Sequence, residues 1–287
     1  MGTTVEDIVK IMNDFVPPWL AEDWDNVGLQ LGDSRWPVHS IWTALDPTLE
    51  VVKAACNEDV DLLITHHPLF FRPIRSIDFR SPHGSIIRTA AQHQLAIFSV
   101  HTNLDMVRDG VNDVLARRLG LKGIEILQPR NWEQRLKSGD DLTGDSPPII
   151  DSEIGHGLGR IGSLGNIENL ASLTLTVKEK LNLNFVKVAG NPELEISQVA
   201  ICSGSGSSLM KTFLASNAQV YISGDIHYHD AREAESVDRA IIDIGHFASE
   251  HLMVEALALQ LAKILPEAGI RAAIKACTIE KDPFSIL

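Results

Sequence analysis

The sequence predicts an α/β fold built from two similar halves. Three observations carry this reading. Short apolar runs of strand length alternate with amphipathic helical segments. The same order of elements recurs in the second half of the chain. Titratable side chains gather where the predicted strands end, the position at which open α/β sheets take their ligands.

The elements follow in order. Thr3-Thr4-Val5-Glu6-Asp7 caps a first helix with Ile8, Ile11, Met12 and Phe15 on one face, and Pro17-Pro18 stops it. "SIWTALD" (40–46) is a predicted strand, followed by Pro47 and a helix through Ala55. "DLLIT" (61–65) is a short buried strand that runs into His66-His67-Pro68, and "QLAIFSV" (94–100) is another strand. "DGVNDVLARRLG" (109–120) is a helix closed by glycine.

Residues 40–67 superpose on 198–225 without a gap. "SIWTALD" falls on "QVAICSG" and "DLLITHH" on "QVYISGD". "SVHTNLD" (99–105) falls close to "DIGHFASE" (243–250), with His101 over His246 and Asp105 over Glu250. Strand, helix, strand and a His-x-x-x-acid pair thus recur in one order. The expected organisation is a first α/β half over 1–125, a connector over 126–190 and a second half over 191–287. The connector holds a Gly/Pro-rich loop and the helix "ASLTLTVKEKLNL". Two such halves are expected to bring their strand ends to one cleft.

Composition sets bounds. The 287 residues are 44% hydrophobic and 22% charged, an ordinary globular balance. A net charge of −13 argues against a nucleic-acid partner, whose phosphates call for a basic face. A small anionic substrate at a local metal centre stays open. Cys56, Cys202 and Cys277 are far apart with no CxxC, so neither a thiolate zinc site nor a disulfide framework is indicated. The N-terminal stretch is acidic and amphipathic, unlike a signal peptide, and no apolar run approaches the roughly 20 residues of a membrane span. A cytoplasmic protein with no membrane association is expected.

The chemistry concentrates in a few places. Pro68 keeps His67 extended, and neighbours in extended chain point apart. His66 and His67 are therefore expected to serve one each of two neighbouring metals. An isolated His-His pair at a strand exit is also an ordinary polar turn. His246 and Glu250 can share one face of a first helical turn, or simply cap it and complement its dipole. Asp105 follows another strand end, where Asp also serves turns. A carboxylate can bridge two divalent ions roughly 3.5–4 Å apart. Nitrogen and carboxylate ligands without thiolate suit zinc, manganese or iron.

In "SGDIHYHDA" (223–231), Asp225, His227, His229 and Asp230 are candidates to support ligands or move protons, His229 before His227. His101 is a further candidate, to orient Asp105 or protonate a leaving group. "GLGRIG" (157–162) matches GxGxxG, but no strand precedes it and no helix opens inside it, so dinucleotide binding is rejected. "SGSGSS" (203–208) reads as an anion cradle or a tight turn.

The stretches "EDWDNVGLQLG" (22–32), "THHPLFF" (65–71), "SVHTNLD", "GLGRIGSL" (157–164), "SGDIHYHDA" and "DIGHFASE" stand in the order of the motifs of a known family. Nearly the whole chain resembles the Nif-three-like dinuclear metal centre proteins, which carry the name type 2 homologues of GTP cyclohydrolase I. The resemblance implies metal ligands at His66, His67, Asp105, His246 and Glu250, with Glu250 bridging two divalent ions. It implies two α/β halves and a homo-oligomer, a hexameric ring. Two departures stand out: only a short Gly/Pro-rich stretch occupies the place of an inserted domain found in some relatives, and His227 stands where the family more often has lysine.

Two functions compete. The first is a metal-dependent hydrolase of a small molecule, a nucleotide or related heterocycle, a phosphoester or another C–N bond substrate, with His101 or His229 handling protons. The second is a non-catalytic metal-binding adaptor whose ions stabilise assembly.

Overall fold

A computed structural model describes residues 2–130 and 155–286. The Gly/Pro-rich loop of the expected connector lies largely outside them. The chain divides into two units, Met1–Leu104 with Met253–Leu287, and Asp105–Leu252.

The first unit opens with α1 (Val5–Phe15). Thr4 Oγ1 accepts from the Asp7 N–H and Asp7 Oδ2 accepts from the Thr4 N–H, the reciprocal capping the sequence calls for. There follow β1 (Gly28–Leu31), β2 (Ser40–Ala44), α2 (Leu49–Asn57), β3 (Leu62–Thr65), α3 (Pro82–Gln92) and β4 (Ala96–Ser99). The sheet runs β1-β4-β3-β2-β11, where β11 is Ala273–Ala276. β4, β3, β2 and β11 are parallel, and β1 closes the edge antiparallel to β4. Leu62, Leu63 and Ile64 of β3 and Ala96, Ile97 and Phe98 of β4 are all buried. A parallel strand covered on both faces needs this unbroken apolar run.

The second unit contains α5 (Val111–Leu119), reached through the short α4 (Thr102–Met106) that spans the division. Gly120 ends α5 in the left-handed conformation, at φ 81°, as the glycine at the end of the motif predicts. Next come β5 (Lys122–Pro129), β6 (Gly157–Asn169), α6 (Leu170–Leu181), β7 (Lys187–Ala189), β8 (Glu195–Ser205), α7 (Met210–Ala215), β9 (Val220–Gly224), α8 (Tyr228–Ser236), β10 (Ala240–Asp243) and α9 (His246–Glu250). The sheet order is β5-β6-β8-β9-β10-β7, with β8, β9 and β10 parallel. Alternate residues of these strands feed two cores. Val199, Ile201, Val220 and Ile222 pack with α5 and α6, while Ala200, Cys202 and Tyr221 pack with Met210, Phe213 and Ala234.

The repeat is visible in the pairing. β2 meets β3 with Ile41 opposite Leu62 and Thr43 opposite Ile64; β8 meets β9 with Val199 opposite Val220 and Ile201 opposite Ile222. The superposition of 40–67 on 198–225 carries one pair of registers onto the other. The division of the chain, however, differs from the expected 1–125, 126–190 and 191–287. The stretch 157–169 is a strand of the second sheet, hydrogen-bonded to β5 and β8, and not connector. The last strand returns to pair with β2, Ala273 opposite Ser40, and takes residues from Met253 onward into the first unit.

The last long helix, α10 (Leu252–Glu267), buries Met253, Val254, Leu257, Ala258, Leu261 and Leu265. Its apolar face is therefore mostly core. Among the described residues no helix is long and apolar enough to cross a membrane.

The three cysteines are buried and free. Burial raises all three thiols, and burial with the nearby Asp105 charge pushes Cys202 up to about 12. At pH 8 the native protein is expected to resist alkylation at all three and to react only once denatured, read by mass spectrometry. Fast native labelling of Cys202 would contradict its burial.

Candidate metal centre

In the first unit the β3 ladder continues for two residues beyond the strand, with the His66 N–H donating to Ala44 O and the His67 N–H to Leu45 O. The His67 carbonyl then accepts from Thr65 Oγ1 (2.7 Å) and Ser99 Oγ (3.3 Å). These hydroxyls hold the exit turn, and the side chains do not diverge as extended chain predicts. The rings of His66 and His67 lie 5.1 Å apart, and His101 stands 5.2 and 5.5 Å from them. Each of the three offers a ring nitrogen within 4.8 Å of the others. That spacing suits one ion or two neighbouring ions.

The anchoring of these rings is more telling. His66 Nδ1 faces Val100 O at 3.0 Å, His67 Nδ1 faces Asp46 Oδ1 at 2.8 Å, and His101 Nδ1 faces Asp25 Oδ1 at 2.9 Å. A carbonyl or carboxylate only accepts, so Nδ1 is the donor in each. In the neutral ring this leaves the lone pair on Nε2, the state a metal ligand needs. Burial works to raise the Asp25 carboxyl, but the hydrogen bond and charge of His101, with two bonds from Thr102, outweigh it and hold it at about 2. Asp46 is itself positioned: Glu280 accepts from the backbone N–H groups of Leu45 and Asp46.

The second unit repeats the device. His246 opens α9, and its Nδ1 faces Asp225 Oδ2 at 2.8 Å. Asp225 takes the left-handed conformation at φ 52°, which an Asp tolerates better than most residues. His246 Nε2 lies 3.0 Å from Glu250 Oε2. A lone pair facing a carboxylate at that distance calls for a cation or a proton between them. Glu250 is buried, and the β8 end is shaped around it. A Cβ on Gly204 would fall 2.2 Å from Glu250 Oε1, and φ there is +61°, so only glycine fits. The Gly204 N–H donates to Ser249 Oγ, which removes one donor from the anion-cradle reading of 203–208. Asp105 accepts from Ser203 Oγ at 3.1 Å, and buried Asn112 bonds both the Asp105 carbonyl and the Ser203 N–H.

The structure therefore anchors His66, His67 and His101 together in one unit, and His246 with Glu250 in the other. His229 is exposed on the first turn of α8, with its ring edge-on to Tyr228. Asp25, Asp46 and Glu280 were not singled out in the sequence. Asp25 and Asp46 do stand inside quoted motifs, and an Asp at a strand end opposite a histidine strand is the signal that finds Asp46. "GLGRIG" is strand β6, in keeping with the rejection of a dinucleotide site.

Fold and side chains together define an α/β protein with a candidate metal centre of imidazole and carboxylate donors. The family model for Duf34/NIF3 (NGG1p interacting factor 3) matches residues 3–283, and the chain belongs to that family. The GTP cyclohydrolase 1 type 2 homolog of Clostridium acetobutylicum is 31% identical over 284 residues, 99% of each chain. The protein of the same name from Staphylococcus aureus strain MRSA252 is 28% identical in an alignment of 366 positions that covers 99% of this chain and 100% of that one. It carries residues this chain lacks. A hypothetical protein of Staphylococcus aureus has a crystal structure that superposes with a TM-score of 0.87 at 31% identity, covering all of both chains. A Bacillus cereus protein related to NIF3 gives 0.89 at 24% identity, again over both whole chains, a likeness of fold.

Proposed function

We propose that the chain is a metal-dependent hydrolase of a small molecule, with a nucleotide as the first candidate. The observation that carries this reading is the Nδ1 anchoring of His66, His67, His101 and His246 to oxygen acceptors, which readies four Nε2 atoms for ligation. In this reading His66, His67, Asp105, His246 and Glu250 hold two divalent ions, zinc, manganese or iron, with Glu250 bridging. Bound ions of this kind supply a water acidified toward neutrality.

The chain's own groups do the rest. Asp46 and Asp225 fix the imidazoles of His67 and His246. His101, with the ionised Asp25 behind it, can take or return a proton at Nε2 where it is not itself a ligand, and His229 is the second candidate for that task. The name of the relatives supports GTP as the first substrate to try, with formate as the released product. A homo-oligomer, a hexameric ring in a cytoplasmic setting, belongs to the same proposal.

The test is a screen of zinc-, manganese- and iron(II)-loaded protein against nucleotides, phosphoesters and cyclic amides, with a chelated control. Turnover that disappears on chelation is expected. No turnover with any metal and any class would transfer the case to the adaptor reading.

A further inference from the structure

Beside the three histidines of the first unit stand two aromatic rings that the hydrolase reading does not use. Trp24 is 62% exposed and Phe71 is 54% exposed. Each nevertheless contacts His101: Trp24 with centroids 5.9 Å apart and planes at 75°, Phe71 at 5.5 Å and 87°. Phe71 also lies 6.2 Å from His67. Neither ring lies flat against a histidine, and each leaves more than half its surface to water. Both rings reach the same imidazole, and together they offer an exposed aromatic surface to a partner with a flat ring.

The rings are held in place. Asp25, next to Trp24, is tied to His101 and to Thr102. Asn26 Nδ2 donates to the Phe70 carbonyl at 2.8 Å and to Gln30 Oε1 at 2.9 Å, so the loop that carries Trp24 is bonded to the turn that carries Phe71. Such bonding lowers the ordering cost of closing on a ligand.

The charge nearby points the same way. Residues 71–80 are all exposed. Arg80 is paired with Asp78, and Arg35 with Asp33. Arg72 and Arg75 have no carboxylate partner among the described residues. In a chain of net charge −13, two unpaired guanidiniums within four residues of Phe71 mark a place for an anion.

We infer that Trp24 and Phe71 form a clamp for the flat ring of the substrate, and that Arg72 and Arg75 receive its anionic group. The substrate class is then a planar heterocycle bearing phosphate. This rests on the proposed function for the ring's destination, beside His67 and His101, but the clamp is tested by binding alone.

The experiment measures equilibrium binding of GMP, ribose 5-phosphate and inorganic phosphate to the zinc-loaded full chain by calorimetry. Wild type is compared with Trp24→Ala, Phe71→Ala, Trp24→Phe and the double variant Arg72→Ala/Arg75→Ala, each checked for fold by circular dichroism and for assembly by light scattering. Wild type should prefer GMP to ribose 5-phosphate. Trp24→Ala or Phe71→Ala should weaken GMP about tenfold to a hundredfold and leave ribose 5-phosphate unchanged, with Trp24→Phe close to wild type. The arginine variant should weaken both ligands and flatten their salt dependence.

GMP affinity unchanged in the folded alanine variants overturns the clamp, as does a wild type without preference for the ring. A loss of assembly with unchanged GMP binding also overturns it and gives the patch to contact between copies. Ring-dependent binding without turnover keeps the clamp and removes the hydrolase reading. Metal-dependent turnover of a nucleotide that ignores both alanine substitutions does the reverse.

Discussion

Glu250→Ala is expected to abolish metal-dependent turnover and most metal-dependent stability. In the proposed centre this carboxylate belongs to both ions, so its loss affects two sites at once. The drop in turnover should exceed the roughly 10–100-fold typical of losing a group that only supports a ligand. The burial of Glu250 bears on what is expected of the fold. Glu250 is 3% exposed, against His246 and under Gly204. A buried carboxylate needs a cation or a proton beside it, and His246 Nε2 stands 3.0 Å away.

The metal-free variant should keep its fold and melt close to metal-free wild type. With metal the two should separate. Free ion at about a hundred times its Kd adds about 2.7 kcal/mol to the wild type, and the variant should lack most of it. Thermal melts with zinc and with chelator measure both differences. A variant that gains as much from zinc as the wild type would remove Glu250 from the ligand set. His67→Ala should lose turnover likewise, with little change in the metal-free melt.

The second large effect is on folding. Arg160 is 1% exposed inside the second unit. Its Nε and Nη2 reach Asp113 Oδ2 at 3.0 and 2.6 Å, Nη1 bonds the carbonyls of Gly157 and Gly159, and Nη2 bonds that of Val107. Arg160→Ala strands the Asp113 carboxylate and three carbonyls in the interior. Breaking a buried pair from one side costs about 3–5 kcal/mol. Urea unfolding should show that loss as a lower midpoint with an unchanged slope. The double change Arg160→Met/Asp113→Leu should recover much of it, because no charge is then left alone. A single variant within about 1 kcal/mol of wild type would show that water reaches Asp113.

Particular residues show what was legible in the sequence. The run Leu62–Ile64 is apolar because its strand is covered on both faces, and a strand so read fixes where His66 and His67 emerge. The register shared by β2 with β3 and β8 with β9 was legible because a repeated backbone arrangement repeats its apolar spacing. The return of β11 to β2 was not legible. Its residues are partly exposed, and an edge strand carries a weaker pattern than a central one. Arg160 hid within a motif whose glycines suggested another role.

The partners of the histidines hid for a different reason. Asp46 lies 21 residues from His67, Asp25 lies 76 from His101, and Glu280 lies 234 from Asp46. Only the pairing of strands brings such residues together. The divergence expected of His66 and His67 failed because hydroxyls of Thr65 and Ser99, on neighbouring strands, set the exit turn.

A bridged pair of ions sets the metal content of the protein, which elemental analysis reads. Wild-type protein and Glu250→Ala, reconstituted with zinc and freed of loose ion by gel filtration, would be assayed by elemental analysis against protein concentration. Two ions per chain are expected in the wild type, with a clear loss in the variant. A single ion per chain, with the same occupancy in Glu250→Ala, would contradict the bridged pair.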